Sequence, residues 1–264
     1  MMNIIRADIY RILRGKAFYI TLAILLAMVA IQIIAYDHGT FAIGINSDAI
    51  DFDNLQDGID GSSIAGLMLA SMDNLIYFLI PIFIVVAASM FSCGAVKNSL
   101  SSGISRVKMY LSALLLSSVM CLLLMVAYWA SSVLLASAIR GLGDWTVEHL
   151  VSILKAFGAQ AVLLLAFNAV GVFLSFVTRS TAAVNGIYIA FALVPALVVA
   201  ILSEAYESFT KYYNYDMTMC MKLFSVYIDT MPSADIMRGL AVGVFWMLAS
   251  TIAGLALFKK AEIK

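Results

Sequence analysis

Three aspartates stand where a carboxylate could do chemistry. Asp144 closes the run Gly141-Leu142-Gly143-Asp144, while Asp37 and Asp216 each follow a tyrosine. Two carboxylates brought together in a low-dielectric pocket share one proton, and such a pair can activate water against a peptide bond. That chemistry needs both acids at membrane depth. All three fall at the ends of apolar runs rather than inside them. An exposed acid in a glycine-rich turn is therefore the reading favoured for Asp144.

Other reactive side chains are sparse. His38 and His149 are the only histidines, and neither belongs to an HExxH pattern. Cys93, Cys121 and Cys220 have neither the spacing of a zinc site nor that of a paired framework. The acidic stretch DFDNLQDGID lacks the twelve-residue ligand spacing of a calcium loop and reads as solvated. No apolar run carries Asp or Glu at its centre, which argues against a self-sufficient proton or sodium pump. No GxxxxGK[ST] phosphate loop occurs, so no enzymatic ATPase activity is expected.

The elements that must hold these residues are long apolar runs. Residues 17–36 contain no charge, and twenty residues of helix span roughly the 30 Å bilayer core. Comparable runs lie at 74–95, about 109–139, 157–177, 182–202 and 239–258. The chain has 264 residues, 63% of them hydrophobic, and a mean hydropathy of +1.00. These values predict an all-α polytopic membrane protein with six transmembrane helices in one domain over residues 1–264. The first run is longer than the core of a signal peptide and lacks a small-x-small cleavage site, so it is expected to be retained.

The net charge of zero hides an asymmetry. Segments 1–16, 96–108, 178–181 and 259–264 hold eleven of the sixteen Lys and Arg residues, but only Asp8 and Glu262 of the acids. The loop 37–73 has seven aspartates and no Lys or Arg. Cations retained near span ends predict both termini on the cytoplasmic side of the cell membrane. The loops 37–73 and 203–238 are then external. The third run exceeds what a bilayer needs, so it must tilt or protrude into the cytoplasm.

Residues 3–16 place Ile5, Ile9, Ile12 and Leu13 on one helical face, with Arg6, Arg11 and Arg14 elsewhere. This predicts an amphipathic elbow helix in the interface, its cations among lipid headgroups. The stretch 217–228 is apolar but too short to span, and is expected to rest on the outer interface or dip partway in. Within the runs, Gln32, Gln160, Asn168 and Asn185 are mild polar groups. Interhelical hydrogen bonding is the leading reading, and a translocation path past Gln32, Asn168 and Asn185 is the functional one. Gly239 and Gly243 form GxxxG, a pattern for close helix packing whose partner the spacing leaves open.

Taken together, the basic elbow NIIRADIYRILRGKAFYI, the segment KNSLSSGISRVKMYLSALL (97–115) and the six-run layout resemble the permease subunit of a type-two ABC exporter. The segment is similar to that of the bacitracin-resistance and lantibiotic-immunity permeases, with a basic residue, Asn, a Gly-Ile-Ser-Arg core and then Tyr. The resemblance implies pairing with a second permease chain, identical or different. It also implies docking of a separate ABC ATPase that binds ATP and magnesium. Lys97, Asn98, Gly103, Ser105, Arg106 and Lys108 would then form the ATPase-coupling segment. Export of an amphiphilic compound, such as an antimicrobial peptide, is the function implied. No cofactor is expected on this chain and no nucleic-acid partner, only membrane lipid besides the protein partners. The alternatives are a non-transporting anchor or sensor that recruits partners and, more distantly, an intramembrane aspartyl protease of the GxGD pattern.

Overall fold

The computed structural model describes residues 9–10, 12, 14–37, 60–92, 94–206, 209, 212, 215–224, 228–229 and 231–260. The side chains of residues 35–37, 92, 95, 97 and 204 are outside that description. Among the described residues the regular structure is helical, with no strand. Six helical stretches are long and apolar enough to cross a membrane: Lys16–Ile34, Met72–Phe91, Arg106–Arg140, Val147–Thr178, Thr181–Ser203 and Ser233–Lys260. The chain is thus an all-α membrane protein.

In chain order the helices are α1 (Lys16–Asp37), α2 (Gly61–Ala70), α3 (Leu75–Phe83), α4 (Ser89–Ser92), α5 (Ala95–Ser101), α6 (Arg106–Arg140), α7 (Val147–Thr178), α8 (Thr181–Ala205), α9 (Met217–Leu223) and α10 (Ser233–Lys260). A 3-10 turn, Met72–Asn74, leads into α3, and a π-helical segment, Ile84–Ala88, joins α3 to α4. Local chemistry sets these boundaries. Ser105, Thr146 and Ser180 precede α6, α7 and α8, and each side chain accepts a hydrogen bond from a backbone N–H of the first turn. Gly141, at φ +92°, ends α6 where a side chain would be strained.

The proximal face of the bundle holds the start of α1, all of α5, the first turn of α6, the α7–α8 turn and the end of α10. The distal face holds α2, the α6–α7 turn and α9. Of the most apolar stretch of α7, 61% is buried, against 11% for α8, so α7 is the axis and α8 is peripheral. Glycines bring neighbours against that axis. Phe83 of α3 lies on Gly171, and Val162 and Leu163 of α7 lie on Gly243 of α10. The partner of the GxxxG helix is therefore in this same chain. Toward the proximal face, Phe91, Tyr110, Phe176 and Phe258 stack edge to face with centroids 4.8–6.3 Å apart, joining α4, α6, α7 and α10.

The two ends of α6 differ in burial. Met109 and Tyr110 near its start are fully buried, whereas Ala138, Ile139 and Arg140 at its end are exposed. The departure from expectation is α2. The solvated loop expected over 37–73 gives way at Asp60, and GSSIAGLMLA forms a helix whose Ile64, Ala65, Met68 and Leu69 are fully buried. Ten residues cannot span, but they can re-enter a bundle whose larger helices supply the walls. Residues 38–59, with His38 and the aspartates 48, 51, 53 and 57, lie outside the described residues. So does most of the elbow, including Arg6 and Arg11. Residues 9, 10, 12 and 14 are helical, and Arg14 is exposed with its guanidinium 5.1 Å from the Tyr10 ring.

Candidate functional site

The segment between the second and third spans is a short helix, a turn and a capped helix start. α5 ends as Ser102 N–H donates to Asn98 O (3.1 Å), and Gly103 then takes φ +84°. Ser105 in extended backbone receives Lys108 N–H and launches α6. Asn98, Ser101, Ser102, Gly103, Ser105 and Lys108 are exposed in a row of polar positions. The Lys97 side chain lies outside the described residues.

Arg106 behaves differently. Its Nη1 donates to Phe258 O at 3.1 Å and Lys259 O at 2.9 Å. The last carbonyls of a helix have no intrahelical partner and carry partial negative charge, so a guanidinium there both bonds and complements them. Arg106 thus braces the start of α6 against the end of α10. The proximal segments also carry Arg14, Lys16, Lys108, Arg179, Lys259 and Lys260, and no Asp or Glu among the described residues. Arg179 adopts φ +54° as the left-handed cap of α7.

Of the four span amides, Gln32, Gln160 and Asn168 bond across helices. Tyr128 Oη donates to Gln32 Oε1 at 3.1 Å. Asn168 Nδ2 donates to Ser117 Oγ (3.0 Å) and Ser118 Oγ (3.2 Å). Ser117 and Tyr128 are eleven residues apart on α6. Gln32 and Asn168 thus bond about 16 Å apart in depth, given 1.5 Å per residue. Asn185 is half-buried on α8, and its Oδ1 accepts no hydrogen bond among the described residues.

The distal face is closed by two re-entrant pieces. Gln160, fully buried on the α7 axis, donates through Nε2 to Leu69 O of α2 (2.6 Å) and to Phe224 O just after α9. Within the 217–228 stretch, Met217, Cys220 and Met221 of α9 are buried in the protein, and Phe224 packs on Gly239. Asp216 caps α9 by accepting Thr218 N–H and Met219 N–H. Burial pushes its carboxyl above the ordinary value despite those bonds. Burial likewise raises the Cys220 thiol to about 11. Lys222 reaches Asp73 at 3.7 Å and ties α9 to the 3-10 turn.

The GLGD run is part of the same closure. Gly61 N–H donates to Gly141 O (3.0 Å), and Gly143 sits against the Asp60 carboxylate, where a Cβ would collide. Asp60 accepts Ser62 Oγ, Ser63 N–H and Ser63 Oγ at 2.8–2.9 Å. Nε2 of His149 is 3.1 Å from Ser62 O, a carbonyl that can only accept, so that nitrogen carries the proton. Asp144 is exposed, while Asp216 is occupied as a helix cap. The glycines of GLGD thus serve a clasp. Asp60 ahead of Gly-Ser-Ser and an apolar run was the sequence signal for this helix start.

No family model matches the chain, and a search of curated proteins found no significant match either.

Proposed function

We propose that this chain is the membrane-spanning permease subunit of an ATP-driven exporter that moves an amphiphilic compound, such as an antimicrobial peptide, out of a bacterial cell. The observation that carries the reading is the proximal segment 97–108: an exposed polar helix-turn braced through Arg106 to the far end of the chain. A partner that pushes on this segment acts on α6 and α10 together, and both pack on the α7 axis. Such rigid-body coupling suits a switch between two facings of a bundle. In this reading the proximal face is cytoplasmic, a second permease chain pairs with this one, and a separate ABC ATPase supplies ATP and magnesium chemistry. Asn98, Gly103, Ser105 and Lys108 meet the ATPase, while Arg106 transmits its movement.

The test is reconstitution in vesicles. The purified chain alone should hydrolyse no ATP, and its complex with the ATPase should hydrolyse ATP faster when an amphiphilic peptide is added. Lys108→Glu should weaken ATPase association. Arg106→Glu should leave the ATPase bound but uncouple hydrolysis from transport. Peptide binding without any turnover would refute export and leave the anchor or sensor reading.

A further inference from the structure

The described aromatics between α8 and α9 belong to none of the contacts above. Tyr206 N–H donates to Leu202 O at 2.8 Å, which ties it to the end of α8. Phe209 N–H donates to Tyr206 O (2.9 Å), and Tyr215 N–H donates to Tyr212 O (3.0 Å). Bonds that close over three residues set the side chains at their two ends one above the other. The rings of Tyr206, Phe209 and Tyr212 follow one another, with centroids 6.2 and 5.7 Å apart. Beyond them, the Arg238 guanidinium lies 5.6 Å from the Tyr215 ring, and Arg238 pairs with Asp235 on α10. The file of aromatics thus begins on the end of α8 and finishes on the first turns of α10. Tyr206, Tyr212 and Tyr215 are at least half exposed.

Helix lengths give the depth of this file. Along α8, Tyr206 stands 25 residues beyond Thr181, about 38 Å. Along α10, Arg238 stands 20 residues before Phe258, about 30 Å. A hydrocarbon core is about 30 Å thick, and the two headgroup layers bring the bilayer to about 40–45 Å. With the cationic proximal helix ends at one edge of the core, the aromatics fall in the headgroup layer at the other. The helices on either side face outward. Only 11% of the most apolar stretch of α8 and 17% of that of α10 are buried, and Leu197, Ile201, Phe245 and Leu248 are exposed. Tyrosine suits the layer where these faces end, since its ring is apolar and its hydroxyl is wet.

We propose that the exposed rings of Tyr206, Tyr212 and Tyr215 form a docking surface for the distal headgroup layer of the bilayer, holding the chain between α8 and α10 against the membrane. The occupant is lipid. The exposed apolar faces of α8 and α10 run up to these rings from the core, and that continuity selects lipid over a protein partner. The surface needs only that the chain stand in a membrane, so it is independent of the export reading.

The experiment replaces Trp129, Trp145 and Trp246 by Phe and installs Tyr206→Trp, Tyr212→Trp or Tyr215→Trp as the sole tryptophan, in vesicles of phosphatidylcholine. Each tryptophan should be quenched more by phosphatidylcholine with a nitroxide on its headgroup than by phosphatidylcholine with a nitroxide near its chain ends. Leu248→Trp in the same background lies about 15 Å from Phe258 along α10 and should show the reverse order, which verifies insertion. Aqueous iodide should quench the three tyrosine positions only weakly. Tyr206→Trp combined with Tyr212→Ser and Tyr215→Ser should lose headgroup quenching and gain iodide quenching. An unchanged profile in that combination would show that the rings do not dock together and would overturn the proposal. Strong iodide quenching with no response to either lipid would place the rings in water and overturn it. Protection from every quencher would reveal a protein cover, such as a second copy of this chain, and would overturn it too, as would stronger quenching from the chain ends.

Discussion

Asp60 shows how much one side chain does at the distal face. Its carboxylate collects three donors from Ser62 and Ser63 and packs on Gly143 of the α6–α7 turn. Burial raises its pKa, but those hydrogen bonds outweigh burial and hold it below the ordinary aspartate value of about 3.9. A depressed carboxylate binds protons less readily in the clasped state than in the open one. Its contribution is therefore present above pH about 4 and is lost as pH falls through the lowered value. Trp145, whose Nε1 donates to Leu142 O in the same turn, can report this. With Trp129 and Trp246 replaced by Phe, its fluorescence should change with a midpoint below pH about 3.9. Asp60→Asn should remove that transition. An unaltered titration in the variant would sink the assignment to Asp60.

At the scale of elements, the six long helices were legible because length and lack of charge suffice to identify a span. The re-entrant helix α2 was not, because ten apolar residues fall below any spanning length and follow an acidic stretch. α9 was half legible: its apolar character was plain, but its depth depends on walls built by α7 and α10. Of the candidate site, the exposed turn around Gly103 could be read from Ser-Ser-Gly. The inward turn of Arg106 could not, since its partner carbonyls are 152 and 153 residues away. Gln160 looked like one of several mild amides, yet its Nε2 bonds carbonyls of both α2 and the end of α9. Gln160→Leu should orphan two buried carbonyls, at about 1–3 kcal/mol each. Thermal unfolding in detergent should fall accordingly, and hydrogen exchange should rise in α2 and α9 before α7. Uniform loosening of all helices would contradict a local latch.

For the whole molecule, charge is sorted by face. The described acids lie toward the distal face, and the described residues of the proximal segments include cations but no acid. This sorting predicts that the proximal face is cytoplasmic. In a background without Cys93, Cys121 and Cys220, single cysteines at Asp144 and Glu148 should react with an impermeant maleimide on intact cells. Cysteines at Ser102 and Lys260 should react only after the membrane is opened. All four positions are exposed, so accessibility within the fold does not decide the outcome. Labelling of Ser102 or Lys260 on intact cells would invert the topology and end the export reading with it.

The bond from Arg106 to the carbonyls of Phe258 and Lys259 also dates the completion of the protein. Arg106 leaves the ribosome 152 residues before Phe258 does, and α10 is the helix that lies on α7 through Gly243. Until α10 is inserted, α7 shows an uncovered face and Arg106 lacks these two acceptors. The nascent chain therefore remains a substrate for membrane quality control until synthesis has passed Lys259. Pulse-chase labelling should find that a chain halted after Pro232 is degraded much faster than the full chain. Arg106→Gln should shorten the lifetime of the full chain less severely, and equal lifetimes for all three would refute late closure.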